Sequence, residues 1–480
     1  MSTYLQQFQN LTSPVTLIIK YRGDFSVLPR DLFFSAEDLG GGFGIVSAAG
    51  VNIPAIIADP SIIYAEADKR LEYMSRPSDP QNGIYYCRPD TALDGSGVII
   101  GIIDGYIDSS HPVFNKISYY GETPELPDPH GTYVAGIAAQ AAPGAEIIGI
   151  GISGDITSSD IMRGAARLVR LAGGKPLVIN ISYGTNDGSH RGDSLFEEYL
   201  DYIAQTEQTA IVAAAGNKAN AAEHFYAQTD GAPVNAEFYI ANGSFSADIR
   251  FDFADSFSLM LTAPNGETYF TGTSSAKFYF HGSITVFFEE PTPYMSGAGI
   301  NVDLNEADTG IWSFTLYPQT PVVTGKVNIW ADGGYFTRPE RGVTVTLPAL
   351  ARGVITAAAY DPQTDAPAIF SGVGPAANGL QKPDISAPGV NVYTAAPNGG
   401  YTRVTGTSFA APIVSGTCAL LMQWGIAEGR DPFLYGKRLK AFLQKGARRS
   451  AALNYPNSEW GYGALCLENT LKLLERGGQI

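Results

Sequence analysis

The sequence predicts an α/β protein with a parallel sheet covered by helices on both faces, preceded by a small α+β module and interrupted by a β-sandwich. Short runs of β-branched residues alternate with helical stretches over residues 83–229, and the same alternation returns over 353–480. Between them, over 232–341, about seven or eight short strands follow one another closely. The first pattern is typical of a parallel sheet, and the second is typical of a jelly-roll-like sandwich.

The predicted elements can be placed in chain order. Residues 1–75 form the N-terminal module, whose apolar runs are 15–21, 43–46, 55–57 and 62–66. In the core, strands are predicted at 98–103, 146–150, 177–181 and 210–214, with helices from 131, over 159–171 and over 193–203, and the core resumes with the run 353–358. The sandwich strands are predicted at 237–240, 246–251, 258–261, 277–280, 285–288, 300–304, 312–316 and 326–330. These apolar runs are short and bounded by glycine or polar residues, which favours strands.

Ser408 lies in the segment 406–413, where a Gly-Thr turn leads into small residues and Pro412. Small residues let a helix N-terminus approach other backbone closely, and the free N–H groups at that end can stabilise an oxyanion. Ser408 is therefore a candidate nucleophile, although a Gly-Thr-Ser tripeptide alone is more often a turn or a helix cap.

Two further residues could activate such a serine. Asp104 directly follows the apolar run 98–103, at the carboxyl edge where α/β sheets place their sites. His130 opens a segment of small, tightly packing residues, and it alone among the five histidines has this setting. A neutral imidazole can take the serine proton while a carboxylate fixes its tautomer. Taken singly, Asp104 would be read as a turn residue and His130 as a structural histidine.

The order Asp104, His130, Ser408 is the order found in subtilisin, and the chain resembles the subtilases, the subtilisin-like serine peptidases. The resemblance rests on five blocks that occur in order along the chain, at 102–104, 130–132, 214–217, 382–389 and 406–412. It implies a serine endopeptidase with a subtilisin-like sheet, in which these three residues are catalytic and a protein or peptide is the substrate.

The resemblance also implies further site residues. Asn217 matches the residue that donates to the oxyanion, and an amide at that place could do so on chemical grounds. Ser182, Tyr183 and Gly184 match the segment that lines the specificity pocket and pairs with the substrate as an added strand. The direction of the Tyr183 side chain is not readable from the sequence.

The chain departs from the subtilase pattern in two places. Gly105 and Tyr106 follow Asp104, where the family usually has Ser or Thr and then Gly. Phe409 follows the candidate nucleophile, where the family usually has Met. Neither change removes a reacting atom, so we expect the consequences to concern the shape of the cleft.

The N-terminal module resembles a subtilase prosegment, which assists folding and then occupies the cleft as an inhibitor. Because parallel strand pairings are non-local and slow to form, a template that binds the folded enzyme would favour it. We expect the chain to cut itself between about Glu72 and Cys87. The alternative is a permanent N-terminal domain.

The predicted sandwich between Asn217 and Ser408 makes the layout similar to that of the clostridial Csp germination proteases, which are subtilases with a jelly-roll insert. This likeness implies that the chain activates the precursor of a spore cortex hydrolase. The simplest role of the insert is to brace the core. Two alternatives are a regulatory pseudoprotease, against which the intact triad residues argue, and a partner- or glycan-binding protein that acts through the sandwich.

Composition limits the remaining possibilities. The chain has 480 residues, 45% of them hydrophobic, which is enough for two or three domains. Its formal net charge of −16 argues against binding to nucleic acid or anionic membranes. No uninterrupted apolar run approaches the ~18–20 residues of a membrane span. No secretion signal is evident, so we expect synthesis in the cytoplasm, followed by packaging into spores or by release.

No metal site is assignable from the sequence. Three cysteines, Cys87, Cys418 and Cys466, lack the spacing of metal ligands. Calcium sites are common among subtilases, but no local loop of oxygen ligands here is specific enough to name. No other cofactor is expected.

Overall fold

The computed structural model describes residues 5, 7–8, 10–73, 91–124, 128–205, 208–241, 243–271, 277–280, 283–292, 297–319 and 321–476. For Tyr73 and residues 277–280 it describes the backbone. From residue 74 to Cys87, the segment in which self-cleavage is expected lies outside the described residues.

The N-terminal module is an antiparallel sheet with one short helix. Its elements are Pro14–Tyr21 (β1), Ser35–Gly40 (β2), Phe43–Ala49 (β3), Ile53–Ala58 (α1) and Ile62–Ala67 (β4), followed by Glu72–Tyr73 (β5) in the tail, with 3-10 helices at Phe25–Val27, Arg30–Leu32 and Gly50–Asn52. The strand order is β2-β3-β1-β4. Leu17 and Ile19 of β1 pack into the module's own apolar cluster, whereas Ile18 packs with residues of the core. Strand β1 is therefore buried on both of its faces.

The first part of the core alternates strands and helices. Its elements are Ile99–Asp104 (β6), Ile117–Tyr120 (β7), His130–Ala141 (α2), Glu146–Gly151 (β8), Ser158–Ala172 (α3), Leu177–Ile181 (β9), Tyr183–Gly184 (β10), Leu195–Gln205 (α4) and Thr209–Ala214 (β11). The start and end of α3 show why a helix forms there. Thr157 and Asp160 form a capping box at its N-terminus, and Gly173, with φ 57°, ends it in a left-handed conformation.

The inserted segment forms two antiparallel sheets. Its strands are His224–Gln228 (β12), Val234–Ile240 (β13), Phe245–Asp252 (β14), Phe257–Thr262 (β15), Thr268–Phe270 (β16), Lys277–Phe280 (β17), Ile284–Glu289 (β18), Gly297–Leu304 (β19), Gly310–Pro318 (β20), Lys326–Asp332 (β21) and Gly334–Phe336 (β22). The sheets have the orders β12-β21-β14-β19-β18-β17 and β16-β15-β20-β13-β22, and both contribute to one apolar cluster. That arrangement is a β-sandwich. Its first strand, β12, begins before the predicted boundary at 232.

The second part of the core completes the central sheet. Its elements are Ile355–Asp361 (β23), Ala366–Pro367 (β24), Ile385–Pro388 (β25), Val392–Ala396 (β26), Gly400–Val404 (β27), Thr407–Met422 (α5), a π-helix at Gln423–Ala427, Gly436–Gly446 (α6) and Leu467–Glu475 (α7). The central sheet has the order β24-β23-β11-β9-β6-β8-β7, with β25 also beside β23. Every neighbouring pair is parallel except β23 and β24.

Helices cover both faces of this sheet, which confirms the predicted fold class. Successive residues of a strand point to opposite faces, and β6 shows the result. Ile100 and Ile102 belong to the apolar cluster that contains residues of α2 and α5. Ile99 and Ile103 belong to the cluster that contains residues of α3 and α4. A strand buried on both faces has to be apolar throughout, as this one is.

Helix α5 and the π-helix after it, Thr407–Ala427, form the one stretch among the described residues that is long and apolar enough to cross a membrane. However, 94% of an 18-residue stretch within it is buried inside the protein. The stretch packs against α2 and the central sheet, as the core helix of a folded domain does.

The N-terminal module meets the core at the N-termini of α3 and α4. The Asp68 carboxylate accepts hydrogen bonds from the Ser158 hydroxyl at 2.8 Å and from the Ser159 N–H at 2.7 Å, where α3 begins. The Glu66 carboxylate accepts hydrogen bonds from the first two N–H groups of α4, both at 3.2 Å. Because helix N-termini carry partial positive charge, these two carboxylates stabilise the docked module.

Candidate active site

Asp104 is the last residue of β6 and is fully buried. Its Oδ1 accepts hydrogen bonds from the Gly105 N–H and from His130 Nδ1, each at 2.8 Å. The backbone donor fixes the position of Oδ1, so the carboxylate holds the imidazole in one orientation and favours the tautomer that carries its proton on Nδ1.

His130 is the first residue of α2, and the start of this helix lies unusually close to β6. The His130 N–H donates to the Asp128 carboxylate at 2.8 Å. At Gly131, an added Cβ would lie 2.7 Å from the Tyr106 carbonyl oxygen and 3.2 Å from Asp104 Oδ1. Glycine is therefore needed after His130 if the imidazole is to reach Asp104.

Ser408 is the second residue of α5, at the positive end of the helix dipole. Before it, Gly406 has φ 153°, and the Gly406 N–H donates to the Gly389 carbonyl at 2.8 Å. The Ser408 hydroxyl donates to the Ser182 carbonyl oxygen at 3.2 Å, and the Ser182 hydroxyl donates to the Ser408 carbonyl oxygen at 3.1 Å. This reciprocal pair ties the candidate nucleophile to the end of β9.

Two buried residues that the sequence analysis did not single out extend this network. The Ser415 hydroxyl donates to Asn180 Oδ1 at 2.9 Å, and Asn180 Nδ2 donates to the Ser182 hydroxyl at 3.0 Å. Polar residues within the otherwise apolar β9 and α5 were the signal that could have identified them. The network fixes Ser182, and through it the backbone at Ser408.

Asn217 lies in the loop directly after β11 and is 5% exposed. Its Oδ1 accepts hydrogen bonds from both the N–H and the hydroxyl of Thr407, each at 3.0 Å. Thr407 Oγ1 in turn accepts a hydrogen bond from the Gly216 N–H at 3.2 Å. Since the amide oxygen is held by the residue before Ser408, the Nδ2 group faces away from Thr407.

Phe409, noted above as a departure from the subtilase pattern, packs beside the candidate base. Its ring centroid lies 5.5 Å from that of His130, and the ring of Tyr183 lies 6.4 Å from that of His130. Both aromatic side chains are 1% exposed. These two rings limit the movement of the imidazole.

The tail of the N-terminal module lies along β10. Strand β5 runs antiparallel to it, with Tyr73 opposite Tyr183 and Glu72 opposite Gly184. An added Cβ at Gly184 would lie 2.5 Å from Thr346 Oγ1. Glycine at position 184 therefore leaves room for Thr346 to pack against the backbone of β10.

The side chain before Glu72 is held in an apolar pocket. Leu71 is 5% exposed and belongs to the same cluster as Ile156 and Tyr183. The Leu71 N–H donates to the Ile156 carbonyl at 2.6 Å. The Tyr183 side chain, whose direction could not be read from the sequence, is thus buried in the core next to the tail.

The structure brings all the predicted site residues into one region. Asp104 bonds His130, the Phe409 ring links His130 to the start of α5, and Thr407 links Asn217 to the same helix turn. The residues concerned are Asp104, His130, Ser182, Tyr183, Gly184, Asn217 and Ser408. Across the described ranges, no group of three or more His, Cys, Asp or Glu residues is arranged to hold a metal ion.

Comparison with known proteins gives three kinds of match. A family model described as the subtilase family, Peptidase_S8, matches residues 95–338 and 319–463. Among solved structures, the CspB protease of Clostridium perfringens is similar, with 30% identity and a TM-score of 0.74, over 80% of this chain and 96% of that chain.

Curated relatives match over shorter stretches. The PIII-type proteinase of Lactococcus lactis subsp. cremoris is 40% identical over 164 residues, which is 32% of this chain and 8% of that proteinase. Serine protease AprX of Bacillus subtilis is 32% identical over 148 residues, which is 27% of this chain and 32% of AprX. The chain therefore spans well under two thirds of the length of these curated relatives.

Proposed function

The chain belongs to the subtilase family, and on that basis we propose that it is a serine endopeptidase that uses Asp104, His130 and Ser408 as its triad. The observation that carries the proposal is the 2.8 Å hydrogen bond from His130 Nδ1 to Asp104, next to the helix turn that holds Ser408. A peptide-bond hydrolase needs an activated hydroxyl and donors for the oxyanion, and this region contains candidates for both.

In the proposed mechanism, the Ser408 hydroxyl attacks the scissile carbonyl carbon. His130 Nε2 accepts the hydroxyl proton and returns it to the leaving amine, while Asp104 stabilises the imidazolium that forms. The oxyanion would be held by Asn217 Nδ2 and the Ser408 N–H. The hydrogen bonds from Thr407 to Asn217 Oδ1 support this role, because they fix the orientation of the amide beside the helix turn that holds Ser408.

A fluorophosphonate probe tests this proposal directly. The probe reacts with an activated serine, so the wild-type protein should become covalently labelled, and peptide mapping should place the label on Ser408. Folded protein that has lost its N-terminal module, yet takes up no label, would contradict the proposal.

Asn217→Asp is expected to lower kcat by about 10²–10³ while KM changes little, since it removes one oxyanion donor. The aspartate keeps an oxygen that can accept the Thr407 hydrogen bonds, so the helix turn at Ser408 should stay in place. Steady-state kinetics on a peptide substrate measure the effect. The control is Asn115→Asp, which changes an exposed asparagine that bonds the Pro143 carbonyl at 2.9 Å; equal losses in both variants would remove the special role of Asn217.

The N-terminal module is proposed to act as a prosegment that the chain itself cuts. Two observations support this. Strand β5 occupies the edge of β10 that a substrate strand would need, and its register leads from Gly184 towards Ser182, which bonds the Ser408 hydroxyl. The cut is therefore expected within a few residues after Tyr73, and the cut module would remain an inhibitor until it leaves.

The physiological substrate is proposed to be the precursor of a spore cortex hydrolase, and the compartment a spore. Support comes from the layout, with a β-sandwich inserted between Asn217 and Ser408, and from the similarity to the CspB protease. Purified enzyme mixed with such a precursor should convert it to one shorter product. A precursor that stays uncut, while a model peptide is hydrolysed, would rule out this substrate and leave the peptidase assignment intact.

A further inference from the structure

A cavity of about 560 Å³ lies between the tail of the N-terminal module, the loop after β10 and the β-sandwich. Glu72 of the tail lines it, and Asn186 and Asp187 line it from the core. The sandwich supplies one wall, which includes Asn301 and Trp330. The β-sandwich therefore lines the same cavity as the Glu72 side chain of β5, the strand that pairs with Gly184.

Lys218 lies in this cavity, directly after Asn217 in the chain. Its Nζ lies 2.9 Å from the Glu72 carboxylate and 3.3 Å from each of Glu223 and Asp332. The Lys218 side chain is only 22% exposed, so the charge contact is partly shielded from water. The carboxylate of Glu72 is thus the closest of its three acidic partners.

The cavity offers more than one polar group to a side chain that enters it. Asn301 Nδ2 and Asn186 Oδ1 are buried and have no hydrogen-bond partner among the residues the structure describes. Asn301 belongs to β19 of the sandwich. The Glu72 carboxylate contacts the ammonium of Lys218, and Asn301 Nδ2 is a second donor on the sandwich wall of the same cavity.

The other charged side chains that line the cavity from the core and the sandwich are acidic, namely Asp187, Asp248, Asp303 and Asp332. Asp248 is engaged by Arg250 and by the Gly188 N–H at 3.1 Å, and the Asp332 side chain is 74% exposed. Arg70, the other basic residue among those described as lining the cavity, belongs to the tail and leaves with it. After the tail leaves, Lys218 is the basic side chain that remains among the described residues lining the cavity.

We infer that Lys218, together with the sandwich wall, forms a subsite that selects an acidic substrate side chain at the position now held by Glu72. The inference rests on the proposed function, because it takes the substrate to lie along Tyr183 and Gly184 as β5 does. The sandwich then contributes to substrate selection as well as to bracing the core. A partly exposed ion pair is expected to change kcat/KM by about two- to fivefold.

Three peptides test this inference. One copies residues 69–78, and the other two replace the residue at position 72 with Gln or Lys. Wild-type enzyme should cleave the Glu peptide with a kcat/KM about two- to fivefold above that of the Gln peptide, and the Lys peptide should be worst. Lys218→Met should make the Glu and Gln peptides equal, and Lys218→Glu should reverse the order. Lys175→Glu, which changes a lysine paired with Glu146, should leave the preference unaltered.

The outcomes separate this inference from the proposed function. Equal cleavage of all three peptides by the wild type, or a Glu preference that survives Lys218→Glu, overturns the acidic subsite and leaves the peptidase standing. If none of the peptides is cut, the rate of self-cleavage of the full chain tests the inference instead. Glu72→Lys should slow self-cleavage and Lys218→Glu should restore it, and a failure to restore it overturns the inference. Absence of fluorophosphonate labelling would instead overturn the proposed function.

Discussion

Ser408→Ala is expected to lower kcat by about 10⁶-fold, to abolish fluorophosphonate labelling and to leave the chain uncut. The alanine has no hydroxyl to attack a carbonyl carbon, and the remaining oxyanion donors give only a small residual rate. The fold should survive, since the lost hydrogen bond is a single 3.2 Å contact to the Ser182 carbonyl. Intact-mass spectrometry of wild-type and variant protein measures the self-cleavage directly.

The matched control for this experiment is Thr417→Ala. Thr417 is on the same helix and equally buried, and its hydroxyl bonds the Ile413 carbonyl at 2.9 Å. This variant should be labelled and processed like the wild type. A Ser408→Ala chain that still loses its N-terminal module, in a preparation free of other peptidases, would show that Ser408 is not the nucleophile of that cut.

The inner strands of the central sheet could be predicted closely because their burial leaves a simple pattern. The run predicted at 177–181 is the observed Leu177–Ile181, and the run predicted at 146–150 differs from Glu146–Gly151 by one residue. Both strands have neighbours on two edges and helices on two faces, so every position favours an apolar residue. No long-range information is needed to find such a strand.

The sandwich could be predicted less completely, for a physical reason. The short strands Thr268–Phe270 and Gly334–Phe336 lie at the edges of their sheet and were not predicted. Edge strands bury little surface and carry few apolar residues, so their sequences resemble those of turns. Gly334–Phe336 also pairs with Val234–Ile240, a strand far earlier in the chain, so its pairing leaves no local signal. Thr268–Phe270 pairs with the preceding strand, Phe257–Thr262, over three residues only.

In the candidate site, too, local features could be predicted and contacts between distant segments could not. The types and order of the proposed triad residues could be read from local motifs. The contact between Phe409 and His130, and the approach of Lys218 to the sandwich, could not, because both join segments that are far apart in sequence. Gly131 combines both kinds of information. The glycine is visible in the local motif, but the reason for it is the close approach to Asp104, which is distant in sequence.

Asp104→Asn is expected to lower kcat by about 10⁴-fold with little loss of stability. Asp104 Oδ1 accepts two hydrogen bonds, from the Gly105 N–H and from His130 Nδ1. An asparagine oxygen in that place keeps both bonds but carries no charge, so it stabilises the imidazolium poorly. If the amide turns its NH₂ group towards His130, the imidazole must carry its proton on Nε2 and cannot accept one from Ser408. Both orientations predict a loss of rate.

Asp108→Asn separates this effect from a general loss of negative charge. Asp108 is buried in the loop that follows β6, where it accepts hydrogen bonds from the Ser110 and Asn398 N–H groups and makes none to His130. Its replacement should change kcat by only a few fold. If Asp104→Asn were as active as Asp108→Asn, the 2.8 Å contact with His130 would be structural, and the base that activates Ser408 would need another source of orientation.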